Sequence, residues 1–483
     1  MEIDFGGVKE DITTRGEFPL DKAKEVLKGE TIAVLGYGIQ GGAQAQNMRE
    51  TLKDSGVRVI IAELEGTQNY EKALREGWVP GETLFSLEDA VEQGTIVQFL
   101  LHDAGQKKMW PNVRERLHQG DALYFSHGFS IVFRYQTKVI PPKDIDVIMV
   151  APKGTGGSVR KLFKEKRGIN SSYAVHQDAT GRALERTLAI GMAIGSGYLF
   201  PTTFKNEVLS DLTGERAVLL GELWALAEAS YYALLKGQNR TPESAFIESS
   251  EQLTQVILPL IGEAGVNPIY EQARAAGELG TVKAYQDAAR EAAKPIMGRL
   301  YKSVVSGEET AVVLRANSAD DYKERLDAEL AALDGTEMWR VGAEVRRNTS
   351  DRSYDKQITN FALAGAAIGI IEAQYEKFIE KGHPPSEAFN ETSEELTQSL
   401  NPIYQDRGVA GLIGDCSTTA QRGALDWGPV FLRAHLPVFM GNEEHYENTS
   451  GFDPGHNYTV TEPNMWDIGE KLRELRPERQ KQQ

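Results

Sequence analysis

Asp211 and Glu215 stand four residues apart, and so do Glu391 and Glu395. That spacing puts both members of a pair on one face of a helix, where like charges destabilise it unless something compensates. Water does so on a solvated face, so either pair alone reads first as ordinary surface. Four carboxylates brought to one point would instead repel strongly without cations. An all-oxygen donor set without His or Cys favours magnesium over zinc.

A repeat in the chain supplies a reason to bring the pairs together. The eleven residues from Ala245 to Gln255 (AFIESSEQLTQ) recur 143 positions later, from Ala388 to Gln398 (AFNETSEELTQ), with eight identities. An apolar helical segment precedes each copy, which is the mark of a duplicated helical unit whose copies pack on each other as subunits of a dimer would. The copies differ where it matters. Gln252 stands at the position of Glu395, and residues 354–361 contain no counterpart of the Asp211/Glu215 pair. One copy therefore supplies Asp and Glu and the other Glu and Glu, as expected when a two-fold dimer with two composite sites is fused and one site is kept.

A second kind of chemistry lies nearer the amino end. Short apolar runs at residues 31–35, 57–62, 95–101, 122–126 and 146–150 alternate with amphipathic stretches, a β-α-β rhythm that predicts a parallel sheet. The first run empties into Gly36-Tyr37-Gly38-Ile39-Gln40-Gly41, followed by a helix-like segment at 44–53. In that context Gly36 allows the tight turn, Gly38 the approach of a pyrophosphate, and Gly41 close helix–strand packing. His127 and Lys153 each follow an apolar run, at strand ends where a doubly wound sheet binds its ligands. Equally, such loops can simply connect, with a satisfied histidine and a solvated lysine.

These elements imply an α/β Rossmann-like domain over residues 1–205 and an all-α, internally duplicated domain over 206–483, its repeats spanning about 206–345 and 346–483. At 483 residues, more than one core is expected. Long helical segments are predicted at 215–236 and 361–381, and the end from about residue 471 reads as frayed. Residues 187–204 approach membrane length, but their glycines and Pro201 favour a buried helix followed by a strand. The net charge of −17 and the absence of a basic stripe exclude nucleic acid as an expected partner. One cysteine, Cys416, fits a reducing compartment, and the acidic amino end does not resemble an export signal. A cytoplasmic homo-oligomer acting on a small molecule is the expectation.

The segments at 36–47 (GYGIQGGAQAQN), 126–129, 151–160 (APKGTGGSVR), 168–178 (GINSSYAVHQD), 210–221 (SDLTGERAVLLG), 390–395 and 416–423 (CSTTAQRG) together resemble ketol-acid reductoisomerases. The likeness is to the long form with a duplicated helical domain. It implies that this helical domain is knotted, an exception to the usual rule for chain topology. It also implies that Asp211, Glu215, Glu391 and Glu395 hold two magnesium ions, with Asp211 bridging them, and that Ser417 binds the substrate. His127 and Lys153 would form a polar network beside the nicotinamide, and Glu395 would transfer a proton. The implied reaction is an alkyl migration in 2-acetolactate or 2-aceto-2-hydroxybutyrate followed by reduction with NADPH, the family's usual cofactor, in branched-chain amino acid synthesis. A β-hydroxyacid dehydrogenase, which needs no metal, and a non-catalytic nucleotide-binding relative are the alternatives.

One stretch departs from the long-form pattern. Where an Arg and serines would meet the 2′-phosphate of NADPH, the chain reads Glu63-Leu64-Glu65-Gly66-Thr67-Gln68-Asn69. An acid at this position suits a ribose 2′-hydroxyl and repels a phosphate, so Glu63, with Thr67 and Asn69, points to NADH or dual use. The open alternative is that Glu63 faces solvent while Arg58 or Lys72 reaches a phosphate.

Overall fold

The computed structural model describes residues 1–348, 354–440 and 462–480. The chain forms two compact units. The first comprises Met1–Leu209, Thr310–Ser318 and the chain end from Leu472. The second comprises Ser210–Glu309 and the described residues of Ala319–Lys471.

A hairpin, β1 (Glu2–Phe5) and β2 (Val8–Asp11), opens the first unit. The remaining strands are β3 (Thr13–Thr14), β4 (Thr31–Leu35), β5 (Arg58–Ala62), β6 (Leu84–Phe85), β7 (Ile96–Phe99), β8 (Ala122–Phe125), β9 (Asp146–Pro152), β10 (Ser171–Gln177) and β11 (Tyr198–Pro201). They form one sheet in the order β3-β11-β10-β9-β8-β7-β4-β5-β6. From β6 to β9 all neighbours are parallel, as the β-α-β rhythm predicts. Beyond β9, outside the run of residues that carried that rhythm, β10 runs antiparallel. The sequence Ser171-Ser172-Tyr173-Ala174-Val175-His176-Gln177 carries no apolar run because the second half of β10 is partly exposed. Antiparallel strands tolerate that exposure and parallel ones rarely do. Residues 187–204 resolve as proposed, into the end of the helix Ala183–Ala193 and then β11.

All described elements of the second unit are helical. The predicted helix at 215–236 is corrected to two, Phe204–Arg216 and Gly221–Gly237. A tight turn separates them, and a Cβ on Gly221 would lie 2.2 Å from the Arg216 carbonyl oxygen, so only glycine closes it.

The duplication is visible element by element. Gly221–Gly237, Pro242–Phe246, a π-helix Ile247–Ile257, Asn267–Ala276 and Leu279–Ser306 make the first copy. Phe361–Glu380, Pro385–Phe389, π-helical Asn390–Glu394 and Leu396–Leu400, Asn401–Gly414 and Thr418–Met440 make the second. Asn267-Pro268-Ile269-Tyr270 is matched by Asn401-Pro402-Ile403-Tyr404, and Pro295 in one long helix by Pro429 in the other. The copies exchange partners: Gly221–Gly237 packs on Thr418–Met440, and Phe361–Glu380 on Leu279–Ser306. Glycines make the second crossing close, since a Cβ on Gly365 or Gly369 would fall 2.1 Å from the carbonyl oxygens of Val282 and Gln286.

The shared π-helical winding has a sequence cause. Ser249 and Thr254 donate their hydroxyls to the carbonyls of Ala245 and Ser250, and the matching Thr392 and Thr397 donate to Ala388 and Ser393. Each hydroxyl occupies a carbonyl that an α-helical amide would otherwise use. Such turns recur at functional sites.

The chain end is not frayed through residue 480. Leu472 is fully buried, Leu475 nearly so, and Arg167 pairs with Glu478 at 3.3 Å. The polar composition conceals an apolar face one helical turn wide.

Candidate active site

In the first unit, β4 delivers the chain into Gly36 at φ +96°, a left-handed conformation that favours glycine. Gly38 then starts the helix Ile39–Thr51. A Cβ on Gly38 would meet nothing within 4 Å, whereas one on Gly41 would sit 2.0 Å from the Gly36 carbonyl oxygen. The two glycines therefore do different work: one leaves backbone approachable at a helix amino terminus, and the other permits close packing. The helix itself begins earlier than the predicted 44–53.

Glu63, just past β5, does not turn to solvent. Its carboxylate accepts the Tyr37 amide at 2.7 Å and the Leu64 amide at 2.9 Å, which anchors it to the glycine turn. Thr67 caps the next helix by accepting the Tyr70 amide, with Asn69 exposed in its first turn. Arg58 is removed from this place: it starts β5, at the opposite end of the strand, and bonds Gln93 and the Glu82 carbonyl. Lys72 lies 5.5 Å from the Tyr37 ring centroid.

The ends of β8 and β9 open beside the glycine helix. Gln40 donates to the Gly154 carbonyl at 2.8 Å, and Gln44 to the Ser126 hydroxyl at 2.8 Å, tying the helix to both strand ends. His127 and Lys153 do more than connect. His127 Nδ1 lies 3.2 Å from the Glu207 carboxylate, Lys153 Nζ 3.6 Å from it, and the Gly128 amide donates to it at 2.6 Å. Lys153 and Glu207 are almost wholly buried. Burial alone would raise the Glu207 pKa. The charges of His127 and Lys153, with the bonds from His127 and Gly128, prevail and hold it below the ordinary carboxylate value. Glu207 is absent from the sequence reading, although a signal for it exists: it precedes Asp211 by four residues, extending the carboxylate ladder by one turn.

In the second unit the carboxylates of the two copies come together. A Cβ on Gly214 would lie 3.2 Å from the Glu391 carbonyl oxygen, so the Asp211/Glu215 turn presses on the π-helix that carries Glu391. Gln374 clamps the pair, donating to the Glu391 carbonyl at 2.9 Å and accepting the Val218 amide at 3.0 Å. Ser210 donates to Glu387 at 2.7 Å and lies 3.5 Å from Glu391. Glu391 is fully buried; Asp211, Glu215 and Glu395 are half-buried. Three of these four act on the Cys416 thiol: burial first, then the charges of Glu215, Glu395, the neighbouring Asp415 and Asp211, push its pKa well above the ordinary value. Ser417 follows it, exposed, its hydroxyl accepting the Ala420 amide at the start of Thr418–Met440. Glu391 lies in π-helical rather than α-helical winding, so its spacing to Glu395 is not that of one α-helical face.

A family model described as "Acetohydroxy acid isomeroreductase, NADPH-binding domain" matches residues 26–198, and one described as "Ketol-acid reductoisomerase, C-terminal domain" matches 204–351 and 360–448. A "Ketol-acid reductoisomerase (NAD(+))" from Desulfosudis oleivorans is 53% identical over 344 residues, 71% of this chain and 96% of that protein. The chain belongs to the ketol-acid reductoisomerase family. It is thereby an NAD(P)H-dependent oxidoreductase with a nicotinamide-binding domain, and the rival reading as a metal-independent dehydrogenase has no support. A chloroplastic ketol-acid reductoisomerase from Pisum sativum is 33% identical over 441 residues, 89% of this chain and 75% of that protein. Among solved structures, an "NADH-preferring ketol-acid reductoisomerase from an uncultured archean" matches at 30% identity and a TM-score of 0.57, covering 71% of this chain and all of that one.

Proposed function

We propose that this ketol-acid reductoisomerase converts 2-acetolactate, and its 2-aceto-2-hydroxybutyrate homologue, to the 2,3-dihydroxy acids of valine and isoleucine synthesis with magnesium and NADH. The observation that carries this is the joining of the Asp211/Glu215 turn to the Glu391 π-helix within one unit. Its donor set consists of carboxylate oxygens, which suits magnesium. Asp211, Glu215, Glu391 and Glu395 would hold the ions. Bound magnesium polarises the ketone and hydroxyl oxygens of the substrate and so favours alkyl migration. Glu395 is assigned the proton and Ser417 the substrate's carboxylate or hydroxyl.

In the nucleotide-binding unit, the glycine turn would hold the pyrophosphate of the reduced nicotinamide cofactor, which supplies the hydride for reduction of the rearranged ketone. His127 and Lys153, fixed by Glu207, supply the polar wall beside the nicotinamide. Glu63, with Thr67 and Asn69, faces the adenosine ribose, and its charge favours NADH over NADPH. The names of the D. oleivorans and archaeal relatives support that preference. The partner exchange between helical copies supports a knotted path for this domain, and the single buried Cys416 supports a cytoplasmic location.

Steady-state rates with 2-acetolactate, magnesium and each cofactor test these readings together. Turnover that favours NADH is expected, and Glu63→Ser should move the NADPH/NADH ratio of kcat/KM upward by about tenfold, the equivalent of ~1.4 kcal/mol. Equal ratios in the variant and the wild type would remove Glu63 from cofactor choice.

A further inference from the structure

A buried polar chain outside the proposed ligand set ends on Glu391. The Tyr301 hydroxyl lies 2.8 Å from His383 Nε2, His383 Nδ1 lies 2.9 Å from Glu387, and Ser210 donates to Glu387 at 2.7 Å and stands 3.5 Å from Glu391. Each of these five residues is at least nine-tenths buried. His383 is bonded at both ring nitrogens, which fixes its orientation. Tyr301 comes from the long helix of the first copy and His383 to Glu391 from the second, so the partner exchange assembles the chain.

The duplicated position shows what this chain replaces. The counterparts of His383, Glu387 and Glu391 are Arg240, Ser244 and Glu248. There the Ser244 hydroxyl donates directly to Glu248 at 2.6 Å and Arg240 pairs with the same carboxylate at 3.2 Å. Protein cation and hydroxyl both go to the carboxylate itself. In the second copy, the residue at the arginine position turns instead to Glu387, one helical turn before Glu391. In place of the hydroxyl and guanidinium contacts made to the carboxylate in the first copy, the second has hydroxyl and ring contacts on Glu387, four residues before Glu391.

We propose that Tyr301, His383, Glu387 and Ser210 are positioning residues that orient Glu391 for a divalent cation. This rests on the magnesium reading above. Groups that orient a metal ligand through hydrogen bonds alter metal affinity about 10–100-fold when changed.

The test is magnesium titration by calorimetry on the full chain, with NADH binding followed in parallel as a check on the nucleotide-binding unit. Glu387→Gln keeps the volume and one acceptor oxygen and should weaken magnesium binding by about 10–100-fold. Tyr301→Phe, two links further out, should weaken it less and in the same direction, and it serves where Glu387→Gln does not fold. Both should leave NADH affinity unchanged, and kcat should recover at high magnesium. Wild-type magnesium affinity in folded variants would overturn the inference. A wild-type protein that binds no magnesium would instead overturn the metal reading beneath it.

Discussion

At one composite position of the helical unit, Asp211 and Glu215 accompany Glu391 and Glu395. At the other, 143 residues displaced, Tyr354 and Ile358 accompany Glu248 and Gln252. At the first, a buried thiol, Cys416, has its pKa raised by burial and then by charges that include Glu215, Glu395 and Asp211. The second closes on itself: Gln252 accepts the Thr359 amide at 2.9 Å, Arg346 pairs with Glu251 at 2.7 Å, Tyr354 donates to Glu251 at 3.1 Å, and Arg240 pairs with Glu248. The same fold thus supports one position with Asp211, Glu215, Glu391 and Glu395 and another where Arg240 and Arg346 each pair with a glutamate.

The largest effect that sharpens this contrast is on turnover. Asp211→Asn should lower acetolactate turnover by about 10³-fold, the several kcal/mol that metal charge stabilisation contributes, with NADH binding intact by fluorescence titration. A change at the other position, Gln252→Ala, should leave the rate within about threefold, because nothing in the chemistry is assigned to it. Comparable losses at both positions would erase the distinction.

Next comes stability. Glu251→Gln leaves the largely buried Arg346 with a weakened partner and should cost about 3 kcal/mol in denaturant unfolding, while kcat of the folded fraction is retained. A fall in kcat would mean that the closed position takes part in catalysis.

The smallest effect separates the copies by pH. Glu228 in the first copy's apolar helix stands where the second has Ile371, and burial pushes its pKa up to about 7. A carboxyl whose folded pKa lies above its unfolded one contributes stability below about 4.5, and that contribution is lost as pH rises through about 7. Unfolding free energy should therefore decline over that window, and Glu228→Gln should flatten the decline. A slope unaltered by the variant would assign it to other groups.

Much of this contrast was legible in the sequence. The Ala245 and Ala388 repeats, the Gln252 substitution and the glycine turn are local patterns, and local patterns survive without coordinates. His127 and Lys153 were legible as strand ends but not as partners, because the residue that unites them, Glu207, is 80 positions from His127. The reversal at β10 escaped because its partly exposed half hides the apolar run that marks a strand. The π-helical winding escaped too, since periodicity tests assume 3.6 residues per turn and the hydroxyls of Thr392 and Thr397 act below that level. The chain from Tyr301 to Glu391 depends on partner exchange between copies, which no linear pattern encodes.

The most direct measurement is acetolactate turnover with NADH after divalent ions are removed by chelation, followed by return of magnesium alone. The carboxylate assignment predicts loss of activity on chelation and its recovery with magnesium in the wild type, with no recovery in Asp211→Asn. Turnover that survives complete removal of divalent metal would contradict it.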